Sequence, residues 1–224
     1  MASAIGIISA SYPAQCRDKT PVHRESIEWS DIWITDGGGI NLPRVLLIGD
    51  SITRIYYPMV AEKLSGKASV SRLSTSKSVG DEMLLKEVAL VLQEYHWDVI
   101  HFNNGFHGWD YSEEDYRRAY PKFIATIKKY APNAKLICAT CSPIYSDPAS
   151  GQLSPKTQRV IERNKIAVAA AGAENIPIDD LFALTTGHPE YISGDGVHPN
   201  DKGGAIEATQ VAGSIMPFLT QPAR

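Results

Sequence analysis

The sequence predicts an α/β domain built on a parallel sheet with helices on both faces. Three observations predict it. Short apolar runs of β character alternate with longer helix-type segments along the chain. The run at 45–48 is apolar throughout, and those at 98–102 and 134–140 are largely so, as strands buried on both faces are. The length of 224 residues suits one such domain better than two. A chain this long buries well over half of its unfolded surface, so it needs neither metal nor disulfide to fold.

Strands are expected at 45–48, 68–73, 98–102, 134–140 and 176–178. Helices are expected at 57–65, 81–95, 113–130, 155–171 and 201–218. Local chemistry marks several boundaries. Ser112 with Asp115 forms a capping-box pair, with Asp in place of the usual Glu. Ser154 before Pro155 reads as an N-cap with proline at N1, and Gly172 as the stop. Asn200 after Pro199 caps the last helix. Pro121 falls inside the third helix, which is expected to kink there or to start later. Residues 1–42 form an extension ahead of the domain at 43–224. They hold Trp29, Trp33 and the loop Gly37-Gly38-Gly39. They read as a strap packed over the core, or as the source of a Trp that borders a substrate cleft.

The formal charge is −3, with both signs mixed along the chain. No basic run stands out, which argues against nucleic acid or an anionic membrane as the main partner. Three cysteines, Cys16, Cys138 and Cys141, are an odd number and not a disulfide framework. Cys138 and Cys141 sit in an apolar run and read as small buried hydrophobes. No apolar stretch approaches a membrane span. Residues 1–10 lack a basic n-region, so no signal peptide is evident, and the compartment stays open.

The run Arg44-Val45-Leu46-Leu47-Ile48-Gly49-Asp50-Ser51-Ile52 leads a buried strand straight into Gly-Asp-Ser. The carboxyl ends of strands in an open α/β sheet face the ligand crevice. Ser51 is thereby placed at that rim, with a helix starting soon after whose amides favour an anion. A serine hydroxyl needs a base to become a nucleophile. His198, in Asp195-Gly196-Val197-His198-Pro199, is a candidate, with Asp195 three residues earlier to orient it. The segment Phe102-Asn103-Asn104-Gly105-Phe106-His107 ends another strand at the same edge. A carboxamide there can donate to a developing oxyanion.

With these residues in place the chain resembles the SGNH, or GDSL-type, hydrolases. Gly49-Asp50-Ser51-Ile52 is a near match to the family's Gly-Asp-Ser-Leu, and Asp195 to His198 matches its Asp-x-x-His. The resemblance runs from residue 44 onward. It departs in the middle: Phe102 and Gly105 stand where the third block has Gly and Asp, and no glycine falls at the ungapped second-block position. The resemblance implies a flavodoxin-like three-layer sandwich of five parallel strands in the order 2-1-3-4-5. It implies ester hydrolysis with Ser51, His198 and Asp195 as catalytic residues. The oxyanion hole is then the amides of Ser51 and Ser76 with the Asn104 side chain, Gly80 and Asn103 being the rivals.

Asp50, Asn103 and His107 are candidate substrate contacts. Tyr145 and His188 lie on loops that shape the pocket. Lys77 and Arg54 are candidates to meet an anionic substrate, against a default of solvated charge. The leading function is a serine esterase acting on O-acyl, above all O-acetyl, groups of carbohydrate, with a small-molecule or oligosaccharide ester as partner and no cofactor. A lipid, thioester or aryl-ester hydrolase would use the same residues. A metal-dependent hydrolase is disfavoured because no H-x-H or H-E-x-x-H cluster accompanies them. A non-catalytic binder on the same fold is the remaining alternative. Nothing in the sequence fixes the oligomeric state.

Overall fold

The computed structural model describes residues 21–39 and 41–219, so Cys16 lies outside the described residues. Five parallel strands form the sheet: β2 (Arg44–Gly49), β3 (Ser69–Thr75), β4 (Val99–Phe102), β5 (Lys135–Ala139) and β8 (Ile178–Asp179). They lie in the order β3-β2-β4-β5-β8. Counted in chain order, that is the expected 2-1-3-4-5. A sixth strand joins from the extension. β1 (Ser30–Trp33) pairs antiparallel with β3, Ile32 opposite Leu73. The strap is therefore partly sheet. Its strand is short and mostly exposed, so it carries no apolar run to read.

Side chains alternate across each strand and feed two cores. Leu46 and Ile48 of β2 pack with Phe102 of β4 and with α2 (Glu82–Glu94), α3 (Glu113–Tyr130) and α4 (Lys156–Ala173). Val45 and Leu47 face the other way, onto α1 (Ser51–Lys63) and α6 (Asp201–Ile215). The result is three layers. A small antiparallel pair, β6 (Tyr145–Asp147) with β7 (Gln152–Leu153), the short α5 (Leu181–Thr185) and 3-10 turns at Pro189–Tyr191 and Met216–Phe218 complete the described elements. Among the described residues no helix is long and apolar enough to cross a membrane.

Caps explain where the helices differ from expectation. α1 begins at Ser51 rather than at 57, because Asp50 is its N-cap and accepts from Ile52 N at 2.9 Å. Ser112 and Asp115 make the full capping box. α3 continues through Pro121, since Tyr116, Tyr120, Phe123 and Ile127 anchor both halves in one core. α4 runs past Gly172 to Ala173, and Asn175 at φ 55° makes the reversal instead. α4 begins at Lys156, one residue later than the expected Pro155 start, although Ser154 Oγ accepts from Lys156 N at 3.3 Å. Asn200 caps α6 through Gly203 N at 3.0 Å. α6 ends at Ile215, with a 3-10 turn over Met216–Phe218.

Candidate active site

Ser51 is the first residue of α1, immediately after β2 and its Asp50 cap. The turn needs Gly49. A Cβ there would meet Thr53 Oγ1 at 2.1 Å and Asn103 Oδ1 at 2.5 Å. Ser51 Oγ lies 2.8 Å from His198 Nε2. His198 Nδ1 lies 2.6 Å from Asp195 Oδ2. A carboxylate on Nδ1 keeps a proton there and leaves Nε2 to accept from the serine.

Asp195 is itself held. Its Oδ1 accepts from Ser193 Oγ at 2.8 Å, Val197 N at 2.9 Å and His198 N at 3.0 Å. Partial burial pushes its carboxyl up. The His198 side chain, the two amides and the Ser193 hydroxyl outweigh this and hold it well below the usual carboxylate range. The loop that carries the pair is locked at Gly196, at φ 76°, where a Cβ would sit 2.0 Å from Tyr145 O. Tyr145 N donates to Gly196 O at 2.8 Å, and Ser193 N to His198 O at 2.8 Å. Tyr145 is thus a buried brace for this loop rather than a pocket wall.

The middle segments differ from expectation. The Ser76 amide donates to Trp29 O at 3.0 Å, and Ser76 Oγ accepts from Trp29 N at 2.9 Å. Ser76 is spent on pairing with the strap and offers no amide to an oxyanion. The Asn104 carboxamide is also engaged at both ends: Oδ1 accepts from Val79 N at 3.1 Å and Nδ2 donates to Lys77 O at 2.8 Å. It braces the loop after β3. Asn103 is the unspent carboxamide. It is buried beneath Gly49, and its Oδ1 has no partner. Asp50 is 2% exposed and caps α1, so it is out of reach as a substrate contact.

His107 stands beside the site with Nδ1 on Glu25, at 3.0 Å. Trp29 closes on its ring edge-to-face, centroids 5.9 Å apart, with the Arg54 guanidinium 5.1 Å over the indole. The extension is a strap: β1 joins the sheet, and Trp29 pairs with Ser76 and packs on His107. Lys77 is paired with Glu28 at 2.5 Å and lies 3.9 Å from Asp81, so it is not free for an anionic substrate. His188 is exposed and stacked on Tyr191. Burial pushes the Cys138 thiol up to about 11 and holds the Cys141 thiol well above its ordinary range, which makes both inert packing groups.

Sequence reasoning missed Arg163. It is buried on α4 and donates to the carbonyls of Gly105, His107 and Gly108 at 2.9, 2.8 and 2.9 Å. It holds the loop that follows Asn104. The signal was present: Val160, Arg163, Ala167 and Ala171 fall at helical spacing on one apolar face, so the arginine points inward.

Residues 47–206 match the GDSL-like lipase/acylhydrolase family. The chain belongs to this family. As a GDSL hydrolase it is a carboxylic ester hydrolase, and Ser51, Asp195 and His198 all lie within the matched segment. Solved structures share its fold. A carbohydrate esterase of family 3 from Talaromyces cellulolyticus has 16% identity, covers 80% of this chain and 98% of its own, and has a TM-score of 0.63. A GDSL-like lipase from Bacteroides thetaiotaomicron has 18% identity, covers 79% and 89%, and has a TM-score of 0.62. Est24, a carbohydrate acetylesterase from Sinorhizobium meliloti, has 13% identity, covers 79% and 99%, and has a TM-score of 0.62. No curated protein matches this GDSL hydrolase in sequence.

Proposed function

We propose that this GDSL hydrolase is a serine esterase that removes O-acyl groups, acetyl above all, from carbohydrate. The observation that carries the reading is the unbroken hydrogen-bonded line from Ser51 through His198 to Asp195. Ser51 attacks the acyl carbonyl as His198 Nε2 takes its proton. Asp195, ionised and fixed by three donors besides the imidazole, orients the ring and stabilises its cation. His198 then protonates the departing alcohol. Water, activated by the same nitrogen, hydrolyses the acyl-serine and regenerates the enzyme.

Two groups are assigned to the oxyanion with the Ser51 amide at the start of α1. The first is the Asn103 side chain, which replaces Asn104 because it lies under Gly49 and its carboxamide is not engaged as that of Asn104 is. The second is the Gly80 amide, which replaces Ser76. It makes only a long 3.4 Å contact to Ser78 Oγ. Each such donor is worth about 3 kcal/mol in the transition state.

The carbohydrate reading draws on the structural neighbours, which include the Talaromyces esterase, Est24 and an acetyl xylan esterase. Trp29, packed edge-to-face on His107, supports it as an aromatic group that suits a sugar ring. Residues 43–224 act as the catalytic domain, and the preceding strap adds a wall to it.

The test is an ester panel graded by acyl length, run beside acetylated oligosaccharides and with fluorophosphonate labelling. Acetate preference with Ser51 labelled is the expected outcome. Turnover of an acetate ester by Ser51→Ala near the parent rate would sink the mechanism. Preference for acyl chains of eight or more carbons would overturn the substrate class.

A further inference from the structure

α1 turns one side to solvent. Ile52, Thr53, Tyr56, Tyr57 and Val60 are buried, whereas Arg54 and Pro58 are exposed and Ser51 is half-buried. Ser51 and Arg54 therefore share the outer stripe of the helix. Residues three apart on a helix have Cβ atoms about 5–6 Å from each other. A long helical side chain also leans over the turn that precedes it. For Arg54 that turn starts at Ser51.

The guanidinium is held in place. Its carbon lies 5.1 Å from the centre of the Trp29 ring, where the aromatic face attracts a cation. Trp29 is itself tied to Ser76, which accepts from its amide and donates to its carbonyl. Gly49 pairs opposite Ser74 in the sheet. Ser51 and Ser76 each come two residues after that pair, at the same rim. Helix and strap thus bring Arg54 to the rim by separate routes.

Its donors are unspent. Every other described arginine is hydrogen-bonded or ion-paired, as Arg72 is to Asp31 and Arg159 to Glu113. Arg54 has no carboxylate or carbonyl partner among the described residues, and Trp29 is its contact. The acids of the strap are engaged elsewhere: Glu25 on His107 and Gly108, Glu28 on Lys77 and Arg24. A guanidinium offers a fork of donors that matches a carboxylate. One cation balances one carboxylate, and would leave the second charge of a phosphate monoester uncompensated.

We infer that Arg54, braced by Trp29, is an anion subsite that selects esters carrying a carboxylate on their alcohol part. An acetyl group ends at a methyl, so a charge that reaches Arg54 belongs to the alcohol. On the carbohydrate reading the substrate is then an acetylated acidic sugar. The inference deepens that reading and rests on Ser51 being the nucleophile. Arg54 binds and orients, and it takes no part in the proton transfers. The carboxylate does not change during the reaction, so its binding is expressed in KM.

The test is kcat and KM on two pairs of acetyl esters at low and high salt, with thermal unfolding as the folding control. One pair is methyl galactoside and methyl galacturonide, each acetylated at O-4. The other is phenyl acetate and 3-acetoxybenzoate. In the sugar pair the uronide is expected to be favoured about fivefold to tenfold in kcat/KM, through KM. About 0.5 M salt should remove most of this. Arg54→Gln should lower the charged-to-neutral ratio of both pairs by the same factor. Arg54→Lys keeps the charge and should keep part of the ratio, and Arg54→Glu should invert it. A ratio that Arg54→Gln leaves unchanged in both pairs overturns the inference. The expected change in the aryl pair, with neither sugar turned over, keeps the anion subsite and removes the carbohydrate reading. Turnover of both sugars at a ratio indifferent to Arg54 keeps the carbohydrate reading and removes the subsite.

Discussion

Removing the charge of Glu207 is expected to stabilise the protein at neutral pH and to change little in mild acid. Glu207 is wholly buried on the inner face of α6. Ser142 Oγ donates to its Oε1 at 2.8 Å, and Oε2 has no partner among the described residues. Burial pushes its carboxyl up to about 7 against the pull of the Ser142 bond, and Asp50 and Asp179 add like charge. An unfolded glutamate titrates near about 4.3. The folded value is the higher one, so the folded protein keeps a proton that the unfolded chain has released. Stability from this group is therefore full below about pH 4, falls as the pH rises to about 7, and is level beyond. A gap of roughly 2–3 pH units at about 1.4 kcal/mol each amounts to about 3 kcal/mol. Glu207→Gln keeps the acceptor for Ser142 and is neutral at every pH. Urea unfolding of both proteins at several pH values isolates the group, because the other titrations cancel in the difference. The variant should gain about 3 kcal/mol at pH values above about 8 and almost nothing near about pH 4. Parallel stability curves, or a variant less stable in alkali, would refute the reasoning.

Four further outcomes separate the parts of the site. Asn103→Ala is expected to lower kcat by about 10²-fold with little change in KM, read from initial rates on an acetate ester. Asn104→Ala should instead cost about 1–3 kcal/mol of stability in urea unfolding, because Val79 N and Lys77 O lose their partner. Gly196→Ala sets a Cβ against Tyr145 O at a backbone angle that disfavours it, and kcat should drop at least about tenfold as the Asp195 loop shifts. Arg163→Met leaves the carbonyls of Gly105, His107 and Gly108 without a donor in the interior, and unfolding free energy should fall by about 3–5 kcal/mol.

The parallel sheet was legible because β2 is an unbroken apolar run and the helices carry their own caps or stripes, whereas its strand order was implied by the family resemblance alone. The meeting of Ser51, His198 and Asp195 was legible for a related reason: Ser51 follows the apolar run of β2, and Asp195 and His198 precede the capped start of α6. What escaped is what depends on tertiary contact. β1 has no apolar pattern, because an edge strand with solvent on its outer side needs none. Glu25 reaches His107 across 82 residues of chain, and nothing local ties one to the other. Ser76 looked free because its amide is claimed by Trp29, a residue of the strap.

Asn103 and Asn104 are the instructive pair, because the choice between them was open to a rule already in use. Val99 of β4 faces the core shared with α1 and α6, and Ile100 and Phe102 face the core under α2 and α3. Carrying that period of two past the strand end puts Asn103 on the α1 and α6 side and Asn104 on the other. Ser51 begins α1, and His198 lies just before α6, so a carboxamide that serves them must share their face. The contacts agree with the parity: Asn103 lies against Gly49 and Asn104 against Lys77 and Val79. The departures from the family's third block then have a physical sense. Phe102, wholly buried and packed edge-to-face on Phe123 with centroids 5.5 Å apart, extends the strand into the core by one side chain. That anchor sets the parity of the next residue. Gly105 lets the chain turn where a Cβ would press on Cys141 Sγ at 2.7 Å. The block keeps one carboxamide on the α1 and α6 face and gives its neighbours to packing.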